Sequence, residues 1–320
     1  MAFGPNLVLS EAMVSSETES VSPRFAELDE WSTSEVLKAL YEGQLSAVAA
    51  VGGALPALGR AADAAAAVLA RGKGRMVYAG AGTSVRIGVQ DGAELPPTFD
   101  WPEMRLGFVI AGSEQAILTA VEGAEDSESD AVERVRSLGI GAEDVVIGVA
   151  ASGTTPFTVA AIAESRRRGA LTVGIANNPD TPLLRAAAHS VLVETGEEVV
   201  AGSTRMKAGT AQKIVLNLFS TAIMIRLGRV YKGMMVDFRV TNAKLRLRSE
   251  AMVAEIASCP REAAAQALRE AHNEVKLASL LALGAPRAEA EAALHRHDGN
   301  LRLALRELGL AGVASGQRHG

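Results

Sequence analysis

Two short apolar runs, Met76-Val77-Tyr78-Ala79 and Val145-Val146-Ile147-Gly148-Val149, each lead into a turn of glycine and hydroxyl residues and then a helical pattern. A strand that ends in such a turn and feeds a helix is the repeating unit of an α/β protein. Further strand candidates at residues 106–111, 171–176 and 190–194 alternate with helical candidates at 84–92, 113–124, 156–168, 182–187 and 204–227. This alternation predicts an α/β fold, a parallel sheet flanked by helices. Ligands of such sheets bind beyond the carboxyl ends of the strands, often at helix N-termini. Both hydroxyl turns fall there.

The first turn is Gly80-Ala81-Gly82-Thr83-Ser84. Its glycines permit a tight turn, and backbone N–H groups, hydroxyls and the positive end of the next helix suit a phosphate. Valine at position 85 excludes a G-x-G-x-x-G dinucleotide fingerprint, and no G-K-[ST] follows to make a Walker loop. The second turn, Ala151-Ser152-Gly153-Thr154-Thr155-Pro156, repeats the logic, with Pro156 set for a first helical turn. Taken singly, the first reads more readily as a structural turn and the second as ordinary helix capping. Two of them after separate strands keep a phosphate site in play.

Gly202-Ser203-Thr204-Arg205-Met206-Lys207 precedes another helix. Ser203 or Thr204 suits a cap; Arg205 and Lys207 suit either an anion or the solvent. Glu94 is restrained by the following Pro96-Pro97 pair, and Glu122 and Glu125 fall near an expected helix end. Acids there are ordinarily solvated, and gain interest only if folding brings them to the loops.

At 320 residues the chain can bury a large core, and 48% hydrophobic with 22% charged residues suits a globular protein. A formal charge of −5 and 4% aromatic content disfavour a nucleic-acid partner. Cys259 is the single cysteine, which excludes an intrachain disulfide, and His295-Arg296-His297 reads as a surface pair rather than a metal site. No metal and no cofactor is expected. The N-terminus shows no secretory pattern and no uninterrupted apolar run reaches the ~18–20 residues of a membrane span, so a cytoplasmic protein without a membrane partner is expected. Residues 1–30 are expected to form a flexible leader. Ser32-Thr33-Ser34-Glu35 resembles a capping box, opening a helical region to Arg71 that is broken or kinked near Gly52-Gly53 and Pro56. Short helices separated by Gly284-Ala285-Pro286 and Asp298-Gly299-Asn300 follow Cys259-Pro260, and residues 311–320 are expected to fray.

As an ordered set, these segments resemble the N-acetylmuramic acid 6-phosphate etherases of the sugar isomerase (SIS) superfamily. The matching motifs are GAGTS at 80–84, ELPPTF at 94–99, AVEGAED at 120–126, the ASG and TP of 151–156, GSTRMKAGTAQKIVLNL at 202–218 and MVDFRVTNAKL at 235–245. The resemblance implies a flavodoxin-like three-layer α/β/α domain over residues 31–255 and a small helical appendage, similar to a ubiquitin-associated (UBA) fold, over 256–310. It implies cleavage of the D-lactyl ether of a phosphorylated amino sugar, by elimination and then hydration, in peptidoglycan recycling. Glu94 would protonate the leaving lactate oxygen and Glu125 would assist proton transfer. Phosphate would be held by Gly82, Thr83, Ser84, Ser152, Gly153, Thr154 and Thr155, with Ser203, Thr204, Arg205 and Lys207 as further substrate-binding candidates. The family's homodimers imply sites near a subunit interface.

The chain departs from the family pattern at Val85, where glycine is usual, at Ala93, where serine is usual, and at Thr154, where arginine is usual. Two alternatives on the same fold follow: a non-catalytic sensor of sugar phosphates, and a sugar-phosphate isomerase.

Overall fold

A computed structural model of the chain describes residues 17–311, apart from residues 239 and 241. Residues 1–16 of the expected leader and 312–320 of the expected tail lie outside the described residues. Residues 17–30 hold three 3-10 turns, Glu17–Glu19, Pro23–Phe25 and Leu28–Glu30.

Helix α1 (Thr33–Leu69) opens with the capping box: the Glu35 N–H donates to the Ser32 hydroxyl, and the Ser32 N–H donates to the Glu35 carboxylate. The expected break does not occur, and α1 runs unbroken for 37 residues. Pro56 removes the N–H that would bond the Gly52 carbonyl, but both residues face solvent, which can satisfy that oxygen. Ala47, Val51, Ala54, Leu58, Ala61, Ala62 and Ala65 form a buried stripe on the other side, and this packing overrides local propensity.

Five strands follow: β1 (Met76–Gly80), β2 (Leu106–Ile110), β3 (Val145–Val149), β4 (Leu171–Ala176) and β5 (His189–Leu192). They pair in parallel in the order β2-β1-β3-β4-β5, the flavodoxin-like arrangement. Side chains alternate across the sheet. Met76, Tyr78, Val145, Ile147 and Val149 pack against α1, α2 (Gly82–Phe99) and α6 (Lys207–Arg226). Val77, Ala79 and Val146 pack against α3 (Glu128–Ser137), α4 (Pro156–Arg167) and α5 (Pro182–Ala186). Helices α1 and α6 are long and apolar enough to cross a membrane by composition alone, but α6 is a central helix of this core.

Two further helical expectations change. Helix α2 continues through Pro96 and Pro97 and stops at Asp100, which adopts left-handed φ of 49°. The prolines fall in its last turns, where only two i−4 bonds are forfeited. The helix expected at 113–124 is replaced by 3-10 turns at Glu114–Ile117 and Ala124–Asp126, with α3 beginning at Glu128. Its apolar residues share no buried face: Leu118 is 90% exposed while Ala116 is buried.

After a short hairpin of β6 (Val230–Tyr231) and β7 (Met234–Met235) come α7 (Ala243–Ala257), α8 (Arg261–Glu270), α9 (Val275–Ala282), α10 (Arg287–Arg296) and α11 (Leu301–Glu307). They enclose a second apolar core that includes Phe238, Val253, Leu268, Leu280 and Leu305.

Candidate functional site

The chain leaves β1 for β2 on one side, and β3 pairs on the other, so β1 and β3 flank the point where strand order reverses. A crevice opens beyond the carboxyl ends of two such strands. A cleft of about 370 Å³ lies there, lined by Gly82, Thr83, Ser84, Ser152, Thr154, Thr155 and Thr204, with Glu19, Glu125 and Asp126 among its acidic residues. Among the described residues, none that lines it is lysine or arginine.

Helix ends supply the missing positive potential. Neither Ala81 before α2 nor Thr155 before α4 closes its helix with a side-chain hydrogen bond, so both N-termini keep N–H groups for a ligand. Helix α6 contrasts with them. The buried Glu198 carboxylate accepts from the N–H groups of Lys207 and Ala208, each at 2.9 Å. Burial pushes the Glu198 carboxyl above its ordinary value, against the pull of those N–H groups and the Lys207 ammonium. The anion at α6 is therefore the protein's own.

Glycine is required twice here. Gly82 starts α2 with φ of 52°, and a Cβ there would meet open space. Gly153 has φ of 69°, and a Cβ there would collide with the Thr181 side chain. The second loop is further held by the Leu183 N–H on the Gly153 carbonyl at 3.0 Å and by the Thr154 N–H on the Ser152 hydroxyl at 3.2 Å.

Of the residues expected at the site, the cleft brings together both hydroxyl loops, Thr204 and Glu125. Gly153 shapes its loop without lining the cleft. Ser203, Arg205 and Lys207 also lie outside the lining. Arg205 is exposed, whereas the Lys207 Nζ donates to the Glu197 carbonyl at 2.7 Å and burial lowers its pKa. Glu125 arrives on a 3-10 turn after Gly123, whose φ is 69°. Glu94 is not brought in. It is exposed, ten residues past Ser84 along α2, or roughly 15 Å at 1.5 Å per residue.

Val85, where the family pattern has glycine, is buried against Ile110 and Ala116 and points away from the cleft. Ala93 is exposed. Sequence reasoning missed Glu19, Asn178 and Glu198, whose roles depend on contacts with distant segments and leave no local pattern.

A larger cleft of about 600 Å³ lies between Asp100, the stretch from Arg229 to Val240 and the C-terminal helices. Its central charges already satisfy one another: Asp237 accepts from Lys276 at 2.5 Å and lies 3.2 Å from Arg229.

Comparison with known proteins agrees with this architecture. The sequence matches the SIS domain family over residues 124–222 and the glucokinase regulatory protein N-terminal SIS domain over residues 60–166. Fold and sequence thus define a SIS-domain protein. An N-acetylmuramic acid 6-phosphate etherase of Deinococcus radiodurans is 50% identical over 91% of this chain and 95% of its own. One from Streptomyces avermitilis is 45% identical over 90% and 93%. The chain belongs to the N-acetylmuramic acid 6-phosphate etherase family. Among solved structures, a phosphoheptose isomerase from Francisella tularensis aligns over 61% of this chain and 100% of its own, at 16% identity and a TM-score of 0.49.

Proposed function

We infer that this chain cleaves the D-lactyl ether of N-acetylmuramic acid 6-phosphate with water, yielding N-acetylglucosamine 6-phosphate and D-lactate. The observation that carries the reading is the cleft at the sheet's switch point in a member of this family. Two helix ends and a set of hydroxyls suit a phosphate, and Glu125 lines the same cleft. Ser84, Ser152, Thr154 and Thr155 donate to the phosphate, and the turns at Gly82 and Gly153 bring backbone N–H groups close.

In the open-chain sugar the C1 aldehyde acidifies the C2 proton. Glu125 takes that proton, the C2–H electrons form a C2=C3 double bond, and the C3–O bond breaks. Glu94 protonates the departing lactate oxygen. Water then adds its oxygen to C3 while a proton returns to C2. This sequence needs proton carriers at two positions. A leaving-group acid must be neutral when it acts, which burial in an assembled site favours.

Glu94 lies too far along its own α2 to serve its own cleft, so we assign it to the cleft of a second subunit. Helix α1 supports a homodimer. Tyr41, Leu45, Val48 and Leu55 recur at heptad-like spacing and are exposed. Gly52 falls in the same register, with nothing within 4 Å of where its Cβ would stand, leaving room for another helix to approach. The reading places the enzyme in the cytoplasm, acting on cell-wall amino sugars during their recycling.

The test is product analysis by proton NMR. The reading requires D-lactate from N-acetylmuramic acid 6-phosphate. Interconversion of unsubstituted hexosamine phosphates without lactate would instead identify an isomerase, and stabilisation by sugar phosphates without turnover a sensor.

A further inference from the structure

The turn Glu17–Glu19 carries a carboxylate to the cleft that neither the phosphate loops nor the proton-transfer steps use. Its middle residue, Thr18, is fully buried. The Asn178 side-chain amide donates to the Thr18 hydroxyl at 3.1 Å and to the Ala151 carbonyl at 2.9 Å, tying this turn to the loop after β3. The Gly202 N–H donates to the Thr18 carbonyl at 3.0 Å, tying the same residue to the loop before α6. Glu19 therefore reaches the cleft from a segment held at two points. Its side chain lies across Gly202, where a Cβ would stand 2.9 Å from the Glu19 Oε2. Replacing Gly202 with a larger residue would displace it.

Charge decides what Glu19 can meet. Among the described residues no lysine or arginine lines the cleft, and Glu125 and Asp126 share it. A phosphate held by the two helix ends is repelled by another carboxylate, so Glu19 is not a phosphate ligand. An ionised carboxylate only accepts hydrogen bonds, and it binds hydroxyl or amide donors strongly. Between the phosphate on C6 and the reacting carbons C2 and C3, the open-chain substrate presents hydroxyls on C4 and C5.

We propose that Glu19 is a substrate-positioning residue that accepts a hydrogen bond from one of these sugar hydroxyls, turning C2 toward Glu125. The identity of the sugar rests on the etherase reading; the role of Glu19 as a hydroxyl acceptor beside a phosphate does not.

Affinity is measured by calorimetry for two probes, N-acetylglucosamine 6-phosphate and inorganic phosphate, with the wild type, Glu19→Ala, Glu19→Gln and Thr18→Val. Loss of a hydrogen bond to a charged group predicts about 10-fold to 100-fold weaker sugar-phosphate binding by Glu19→Ala. Inorganic phosphate should bind as before or more tightly, because a like charge has gone. Glu19→Gln keeps an acceptor oxygen and should lose less. Thr18→Val loosens the turn and should shift sugar-phosphate affinity in the same direction. In turnover, Glu19→Ala should raise KM more than it lowers kcat. Unchanged sugar-phosphate affinity, or equal weakening of both probes, would overturn the proposal. D-lactate release by the wild type is scored in parallel. Lactate release with an indifferent Glu19 sinks the proposal alone. Glu19-dependent binding without lactate sinks the etherase reading alone.

Discussion

The two ends of the parallel sheet solve opposite problems with the same strands. At the amino end, arginines are locked to the protein's own oxygens. Arg75 reaches Asp144 and the carbonyls of Leu138 and Gly139. Arg105 donates to the carbonyls of Gly74 and Leu69, and Arg168 to that of Ile140. Arg136 and Arg167 both engage Glu164, whose carboxyl is held at about 2, chiefly by the Arg167 hydrogen bonds. At the carboxyl end, the cleft between the β1 and β3 loops is lined by hydroxyls, helix ends and carboxylates, with no arginine or lysine among the described residues. The arginines at the closed end are held by the protein's own oxygens, whereas at the open end the N-termini of α2 and α4 have no side-chain cap. That division predicts that stability and activity can be damaged separately.

The largest expected effect is on chemistry. Glu94→Gln should lower D-lactate turnover by about 10²- to 10⁴-fold, the range for loss of a general acid. Because glutamine matches glutamate in size, thermal unfolding should barely move. Full activity would remove Glu94 from the mechanism. The mirror experiment is Asp144→Ala at the closed end. It leaves Arg75 without its carboxylate and should cost about 3 kcal/mol of unfolding free energy by urea titration. Turnover per folded molecule should stay near wild type; a selective loss of kcat would blur the division of labour.

Ser84→Ala probes the open end more gently. Loss of one hydroxyl donor to a charged phosphate should lower kcat/KM by roughly 10-fold to 30-fold, mostly through KM, without altering the melting temperature. The smallest effect is a pH dependence. Burial raises the Asp144 carboxyl, but the Arg75 hydrogen bonds, the Gly141 N–H and the Arg75 charge outweigh it and hold the pKa below the ordinary 3.8. A depressed folded-state pKa stabilises fully above the ordinary value and is lost as pH falls through the folded value. Melting temperature should therefore drop below about pH 4, and Asp144→Asn should flatten part of that drop. An identical acid limb in both proteins would show that other groups dominate.

The open end was the more legible in sequence. Buried parallel strands read as near-continuous apolar runs, and glycine and hydroxyl residues marked their turns, so all five strands and the two hydroxyl turns that line the cleft could be located. Continuity of α1 through Gly52, Gly53 and Pro56 could not, because buried alanines and leucines elsewhere on the helix decide it. Residues 113–124 misled for the converse reason: a helix-like composition without a shared buried face yields only 3-10 turns. Lys207, a candidate from its neighbours, is drawn to the Glu197 carbonyl. Glu198 and Glu19 became visible only once the chain was folded, because their partners are reached through space.

The central claim is that the cleft runs an elimination followed by hydration, and isotope placement tests it most directly. With N-acetylmuramic acid 6-phosphate in ¹⁸O-labelled water, the account predicts D-lactate that keeps the original ether oxygen. The label should appear on C3 of N-acetylglucosamine 6-phosphate. Label in the lactate hydroxyl, or no lactate at all, would contradict it.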